Sequence, residues 1–196
     1  MKNKLVNMLS LGANLSFQES DRKGLESIQN LDLSKVKLKL SRPSHGSDGW
    51  TSEQVEEAEK WYKRFLALIH LRPGKQRVPN GVVDEFWHQH MLDSRAYFKD
   101  SDAIFGRYLH HNPYFGIGAE IGKGDDRGHH QKCYDETKND LCELFNEDFT
   151  VLEGLFPNMA SQGFDCCTDC NDYRTGSPVE DRFFAYDAVD VRVGIS

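Results

Sequence analysis

The sequence predicts a mainly α protein: a small helical bundle followed by an irregular, cysteine-containing C-terminal extension. Three observations predict it. Apolar residues recur at helical spacing in WTSEQVEEAEKWYKRFLALIHLRPG and again in the run ending at Phe145. Capping and stopping residues bracket those runs. After Pro157 the periodicity gives way to SQGFDCCTDCNDYRTGSPVEDR, which is polar and rich in turn formers. The expected organisation is a lead-in over residues 1–30, a helical domain over 31–150 and the irregular extension over 151–196.

Each element follows from local chemistry. Residues 1–28 read as a mobile or weakly helical lead-in. Their opening, MKNKLVNMLSLGANL, is interrupted by Asn7 and Ser10 and lacks the unbroken apolar core of a signal peptide, so a cytoplasmic protein is expected. Val36, Leu38 and Leu40 alternate with Lys35, Lys37 and Lys39, the period of a short half-buried strand. RPSHGSDG then turns the chain. Thr51 with Gln54 forms the pattern of a reciprocal capping box, and Trp50 and Val55 stand where a hydrophobic staple would place them. Val55, Ala58, Tyr62, Phe65 and Ile69 make the buried stripe of that helix, which Pro73 and Gly74 stop. Asn80 is a good N-cap for a second helix running to about Lys99. A third, short helix is expected from Asp100 or Ser101 to the His110–His111 pair, ended by Asn112 and Pro113. A fourth, from about Asp125 to Phe145, carries Tyr134, Thr137, Leu141, Leu144 and Phe145 on one side. The last stretch, FFAYDAVDVRVG, reads as an added strand or a docking tail.

Composition narrows the function. A chain of 196 residues can bury a core without disulfides or metals as obligatory staples. A net charge of −7 argues against a nucleic-acid partner, which needs Lys and Arg to neutralise phosphates. No apolar run is long enough for a membrane span. The expected partner is therefore a protein or a small molecule. The segment GIGAEIGKGDDRG has five glycines but no Gly-Lys-Ser/Thr and no preceding strand, so it carries no phosphate-loop signature.

The chemistry concentrates in histidine. Six of the eight histidines lie between positions 88 and 130: His88, His90, His110, His111, His129 and His130. Imidazole ligates zinc, iron, copper and nickel. His88 and His90 stand roughly 200° apart around a regular helix and cannot both grip one ion. Asp84 and His88, spaced by four, share a face. His90 lies beside Phe86, Trp87, Asp93, Ser94 and Tyr97. If His88 is the ligand, Asp84 assists it or orients it, and His90 is a structural histidine held by Asp93 or Tyr97. If His90 is the ligand, those roles reverse. Either His110 or His111 would complete the group. The candidate metal residues are thus His88, His90, His110, His111, Asp84 and Asp93, with zinc or iron as the expected ion. Histidines that merely hydrogen-bond within the core give a purely structural alternative. His129 and His130, beside the glycine segment, are expected on the surface.

Five cysteines, an odd number clustered late, point to reduced thiols rather than a secreted disulfide framework. Cys166, Cys167 and Cys170 include a C-x-x-C and form a possible second, thiol site, either metal-binding or free and redox-active. No second C-x-x-C follows. Cys133 and Cys142 fall about 180° apart around one helix and do not face each other.

The order of motifs resembles the glycine-rich domain-containing protein-like family. The resemblance runs from GWTSEQVEEAEKWYKRFLAL through VPNGVVDEFWHQHMLDSRAYFKDSDAIFGRYLHHNPYFG and covers roughly residues 31–150. That pattern is a YKRFL helix, then D-E-x-W-H-x-H-x-L-D, an aromatic, F-G and a His-His-x-Pro-Tyr segment. Trp87, His88 and His90 match the W-H-x-H, and Tyr97, Gly106, His110 and His111 match the later points. The resemblance implies no established activity. Plant members add a long glycine-rich tail, whereas the 16 glycines here are dispersed. Similar sequences show Asp-Cys before the F-G, and this chain has Asp100-Ser101. A hydroxyl is a far poorer soft-metal ligand than a thiolate, so a histidine/carboxylate site is favoured over a cysteine/histidine one.

Two readings follow. One is a metal-dependent protein, which extends to an enzyme using zinc hydrolysis or iron(II) oxygen chemistry. The other is a noncatalytic binding or scaffold module, in which Trp87, Tyr97, Tyr108, Tyr114 and Phe115 form the core and a partner groove.

Overall fold

The structure is a computed structural model, and it describes residues 19–43, 48–161 and 167–168. Among these the chain is mostly helical: α1 (Glu19–Gln29), α2 (Ser34–Leu40), α3 (Ser52–Leu71), α4 (Gly81–Leu92), α5 (Ser94–Phe105), α6 (Arg127–Phe145) and α7 (Thr150–Leu155). Two short strands, β1 (His111–Asn112) and β2 (Cys167–Thr168), pair antiparallel with His111 opposite Thr168. No helix of the described residues is long and apolar enough to cross a membrane.

Helix α3 is the axis of the bundle and contacts α1, α2, α4, α6 and α7. Its capping box forms as the sequence predicts. The Gln54 backbone N–H donates to Thr51 Oγ1 at 3.2 Å, and the Thr51 N–H donates to Gln54 Oε1 at 2.9 Å. Val55, Ala58, Tyr62, Phe65 and Ile69 are all buried. Trp61, Leu66, Ala67 and Leu68 are buried with them, so the C-terminal half of α3 is enclosed on every side. A helix that presents one stripe to one neighbour stays at the surface; one covered all round must be central.

Two buried arginines, Arg64 on α3 and Arg77 in the segment after it, tie this region to α6 and the residues just beyond it. Arg64 donates to Glu147 Oε2 at 2.6 Å and lies over the rings of Trp61 and Phe145. Arg77 reaches Asp140 at 2.5 Å, and Arg72 reaches the other oxygen of the same carboxylate at 2.6 Å.

Four elements differ from the sequence expectation. Residues 36–40 are helical, not a strand. Val36 and Leu40, one helical turn apart, are buried, while Leu38 is 65% exposed. Alternation over so few residues also contains an i, i+4 pair, and the neighbouring α3 offers packing surface rather than a strand edge. Lys37 then bonds Glu56 and Glu59 of α3.

The helix expected to run from Asn80 to Lys99 is two helices, broken at Asp93, whose φ of −84° and ψ of 66° lie outside the helical region. Asp and Ser at the junction favour turns and caps over helix interior. Helix α5 ends at Gly106 in a left-handed conformation (φ 68°), so it does not reach the His110–His111 pair. Finally, Glu19–Gln29, within the stretch read as a lead-in, forms α1, with Leu25 and Ile28 fully buried. Beyond residue 150, Leu152, Phe156 and Ala160 also belong to the core. The run FFAYDAVDVRVG lies outside the described residues.

Candidate metal centre

Helix α4 sets out the chemistry. Asn80 caps it by accepting from the N–H groups of Val82 and Val83 at 3.1 and 3.0 Å. That anchors its register, so Asp84 and His88 rise on one face, one turn apart. His88 Nδ1 lies 3.5 Å from Asp84 Oδ2. Strand β1 brings in His111. Its Nε2 is 3.1 Å from Asp84 Oδ1 and 3.0 Å from His88 Nε2. One donor atom from each residue lies within 4.8 Å of the other two, so the group could hold a metal ion. The side chains of Asp84 and His111 are 2% and 6% exposed, and that of His88 is 38% exposed. The group therefore opens to solvent on the His88 side.

These contacts are hard to satisfy with hydrogen bonds alone. His111 Nε2 carries at most one hydrogen, yet it stands within bonding distance of a carboxylate oxygen and of a second Nε2. Directed at Asp84, that hydrogen leaves the contact between the two nitrogens without a straight bridge. If His88 instead donates to an unprotonated His111, the nitrogen and the carboxylate oxygen meet lone pair to lone pair. A cation between the three atoms satisfies all of them. Two nitrogens bound at about 2.0–2.1 Å would stand about 2.9–3.4 Å apart for bond angles between square and tetrahedral.

The other predicted residues lie elsewhere. His90 turns into the core and is 2% exposed. Its Nε2 donates to Asp100 Oδ2 at 3.2 Å, and its Nδ1 accepts from the Tyr62 hydroxyl at 2.8 Å, the tautomer that satisfies both partners. Burial pushes its protonation below the usual histidine range, against the pull of Asp100. The expected partners were Asp93 or Tyr97; instead Tyr97 contributes only a ring edge, at 5.0 Å. Asp93 is half-buried at the α4–α5 junction, where its carbonyl accepts from Tyr97 N–H at 2.9 Å. His110 is exposed and packs on Tyr108. Ser101, where a cysteine was expected in similar sequences, is buried in α5 and is not part of the three-residue group.

His129 is exposed and contacts Gln76 at 3.0 Å, but His130 is 7% exposed and lies against Phe115, contrary to the surface position expected of both. Cys133 and Cys142 are free thiols, and burial pushes both up. The proposed thiol site lies outside the described residues: Cys166 and Cys170 are not described, and of Cys167 only the backbone, paired with Asn112, is. In the glycine segment the Asp126 carboxylate accepts from Gly116 and Gly118 N–H at 3.1 and 3.0 Å, which holds it below the ordinary carboxylate range. A Cβ at Gly118 would meet the Gly124 carbonyl at 2.5 Å, so only glycine fits this closed loop. Of the aromatic set, Trp87, Tyr97 and Phe115 are buried and Tyr114 is exposed.

Sequence reasoning missed two partners, Asp100 and Tyr62. Neither has a sequence signal: their approach to His90 depends on the break at Asp93 and on the packing of α3 against α4.

Fold and site together define a class: a helical protein in which two histidines and one buried carboxylate come close enough together that they could hold a metal ion. The UCP032817-like family model matches residues 25–182, and the chain belongs to that family. This corrects the resemblance drawn from the W-H-x-H pattern, because the family shown is not the glycine-rich domain-containing one. The family description names no activity, and neither the curated proteins nor the solved structures give a significant match.

Proposed function

We propose that the protein binds a divalent transition metal through Asp84, His88 and His111, with zinc or iron(II) as the ion. The observation that carries this reading is the convergence of His111 Nε2 on both His88 Nε2 and Asp84 Oδ1, at 3.0 and 3.1 Å. Imidazole and carboxylate suit both ions, and the donor set contains no thiolate among the described residues. Three protein ligands leave one position open on a four-coordinate zinc and three on a six-coordinate iron. The exposed side of His88 is where water or a substrate would enter. A bound ion of this kind supplies Lewis acidity, an activated water or oxygen chemistry. The reading thus extends to a metal-dependent enzyme, with no catalytic residue assigned.

The test is elemental analysis of the full chain purified without a histidine tag, before and after reconstitution with zinc or, anaerobically, with iron(II). About one equivalent is expected in the natural protein, and His111→Ala and Asp84→Asn should each abolish it. Less than about a tenth of an equivalent after reconstitution, or occupancy indifferent to both substitutions, overturns the reading.

A further inference from the structure

Strand β1 is only two residues long and pairs with a strand of the same length. So short a ribbon has little stability of its own. His111 nonetheless stands within 3.1 Å of Asp84, so something besides β1 must hold it. The fully buried Trp87, between Asp84 and His88 on α4, meets the His111 imidazole edge to face at 4.7 Å and 69°. Its indole N–H donates to the Tyr97 hydroxyl at 2.8 Å, and that hydroxyl donates to the Leu109 carbonyl at 2.6 Å, two residues before His111. Trp87, Tyr97 and Leu109 are each no more than 1% exposed.

The direction of this chain is unambiguous. An indole nitrogen can only donate, a tyrosine hydroxyl has one hydrogen, and a carbonyl can only accept. Buried from water, neither bond has a competing solvent partner. Helix α4, which carries two members of the metal group, thus grips the third twice: by ring contact, and through Tyr97 at the backbone leading into β1.

We propose that Tyr97 is a positioning residue for His111, acting through Trp87 and the Leu109 carbonyl to hold the imidazole at its ligand position; in its metal-affinity consequence this rests on the metal reading above. The break at Asp93 is what serves this purpose in the fold. Without it α5 would continue away along the axis of α4, and Tyr97 could not reach back to Trp87. Burial also pushes the Tyr97 hydroxyl well above the usual tyrosine range, which keeps it protonated as a donor.

Cobalt(II) is the probe, added to the untagged full chain. Tyr97→Phe keeps the ring and removes only the hydroxyl. It should weaken cobalt binding by about tenfold or more, the usual effect of removing a group that orients a ligand, and shift the visible ligand-field bands. Thr51→Ala, which removes the distant α3 cap, should lower the melting temperature while leaving affinity and bands unchanged. That separates positioning from general destabilisation. If Tyr97→Phe does not fold, Trp87→Phe keeps a ring near His111, removes the N–H donor, and carries the same expectation. A folded Tyr97→Phe protein with natural cobalt affinity and spectrum overturns the inference.

A second arm uses metal-free protein and the NMR signals of the His111 ring. These should shift or broaden in Tyr97→Phe; unchanged signals overturn the positioning role. If the natural chain binds no cobalt but its His111 signals respond to Tyr97→Phe, the metal reading fails and the positioning role stands.

Discussion

His88 and His90 stand two residues apart on α4 and meet opposite surroundings. His90 is enclosed, and each of its ring nitrogens has one partner of the complementary kind: a carboxylate for its N–H and a hydroxyl for its lone pair. His88 is partly open, and its Nε2 faces another imidazole nitrogen. The first arrangement is complete as it stands. The second gathers electron pairs faster than it supplies hydrogens. The count of complementary partners around each nitrogen, more than the presence of histidine, separates a core histidine from a candidate ligand.

The sharpest way to break this contrast is to remove each histidine in turn. His88→Ala should weaken metal binding by about a hundredfold or more with little loss of stability, because the side chain is partly exposed. His90→Ala should do the reverse. It leaves a cavity and strands the Tyr62 hydroxyl, so it should lower stability by about 2–4 kcal/mol in denaturant titration while the folded fraction retains its metal. If His90→Ala loses metal as completely as His88→Ala, the division of roles is wrong.

Smaller effects sharpen the picture from sites distant from both histidines. Arg64, with help from Lys60, holds the Glu147 carboxyl below its usual value of 4.5. A carboxyl lowered on folding contributes stability that is full above the unfolded value and is lost as pH falls through the folded one. Stability should therefore drop below about pH 4.5, and Glu147→Gln should flatten that part of the pH profile in denaturant titrations. An equally steep profile in the variant would assign the loss to other carboxylates. The smallest effect is expected at Leu38. Leu38→Glu should change stability by less than about 0.5 kcal/mol, whereas Val36→Ala should cost about 1–3 kcal/mol. Equal costs at the two positions would favour a strand-like burial pattern over α2.

The legible parts of the sequence were those governed by short-range geometry. The Thr51 cap, the buried stripe of α3, the Asn80 start of α4 and the buried side of α6 all depend on residues within a few positions of one another. Helix ends were harder. The break at Asp93 and the stop at Gly106 interrupt runs that otherwise look helical, and a single Asp or Gly is compatible with several backbone outcomes. Val36 to Leu40 misled because five residues hold too few periods to tell a strand from a helix. His130 was expected at the surface beside a glycine-rich loop, and it was the folding of that loop around Asp126 that placed Phe115 over it.

For the candidate site, the sequence by itself determined that His88 and His90 point apart and that Asp84 sides with His88. Both are consequences of one helix turning about 100° per residue. It left open whether His88 or His90 meets a histidine from beyond α5, and whether that histidine is His110 or His111. Only the tertiary structure decided those points. Helical periodicity sets the angle between side chains on one element, but not the direction in which the whole element faces. That direction came from packing against α3, the turn at Asp93 and the clamp of Trp87 and Tyr97 on the chain before β1, contacts between residues 10 to 28 positions apart.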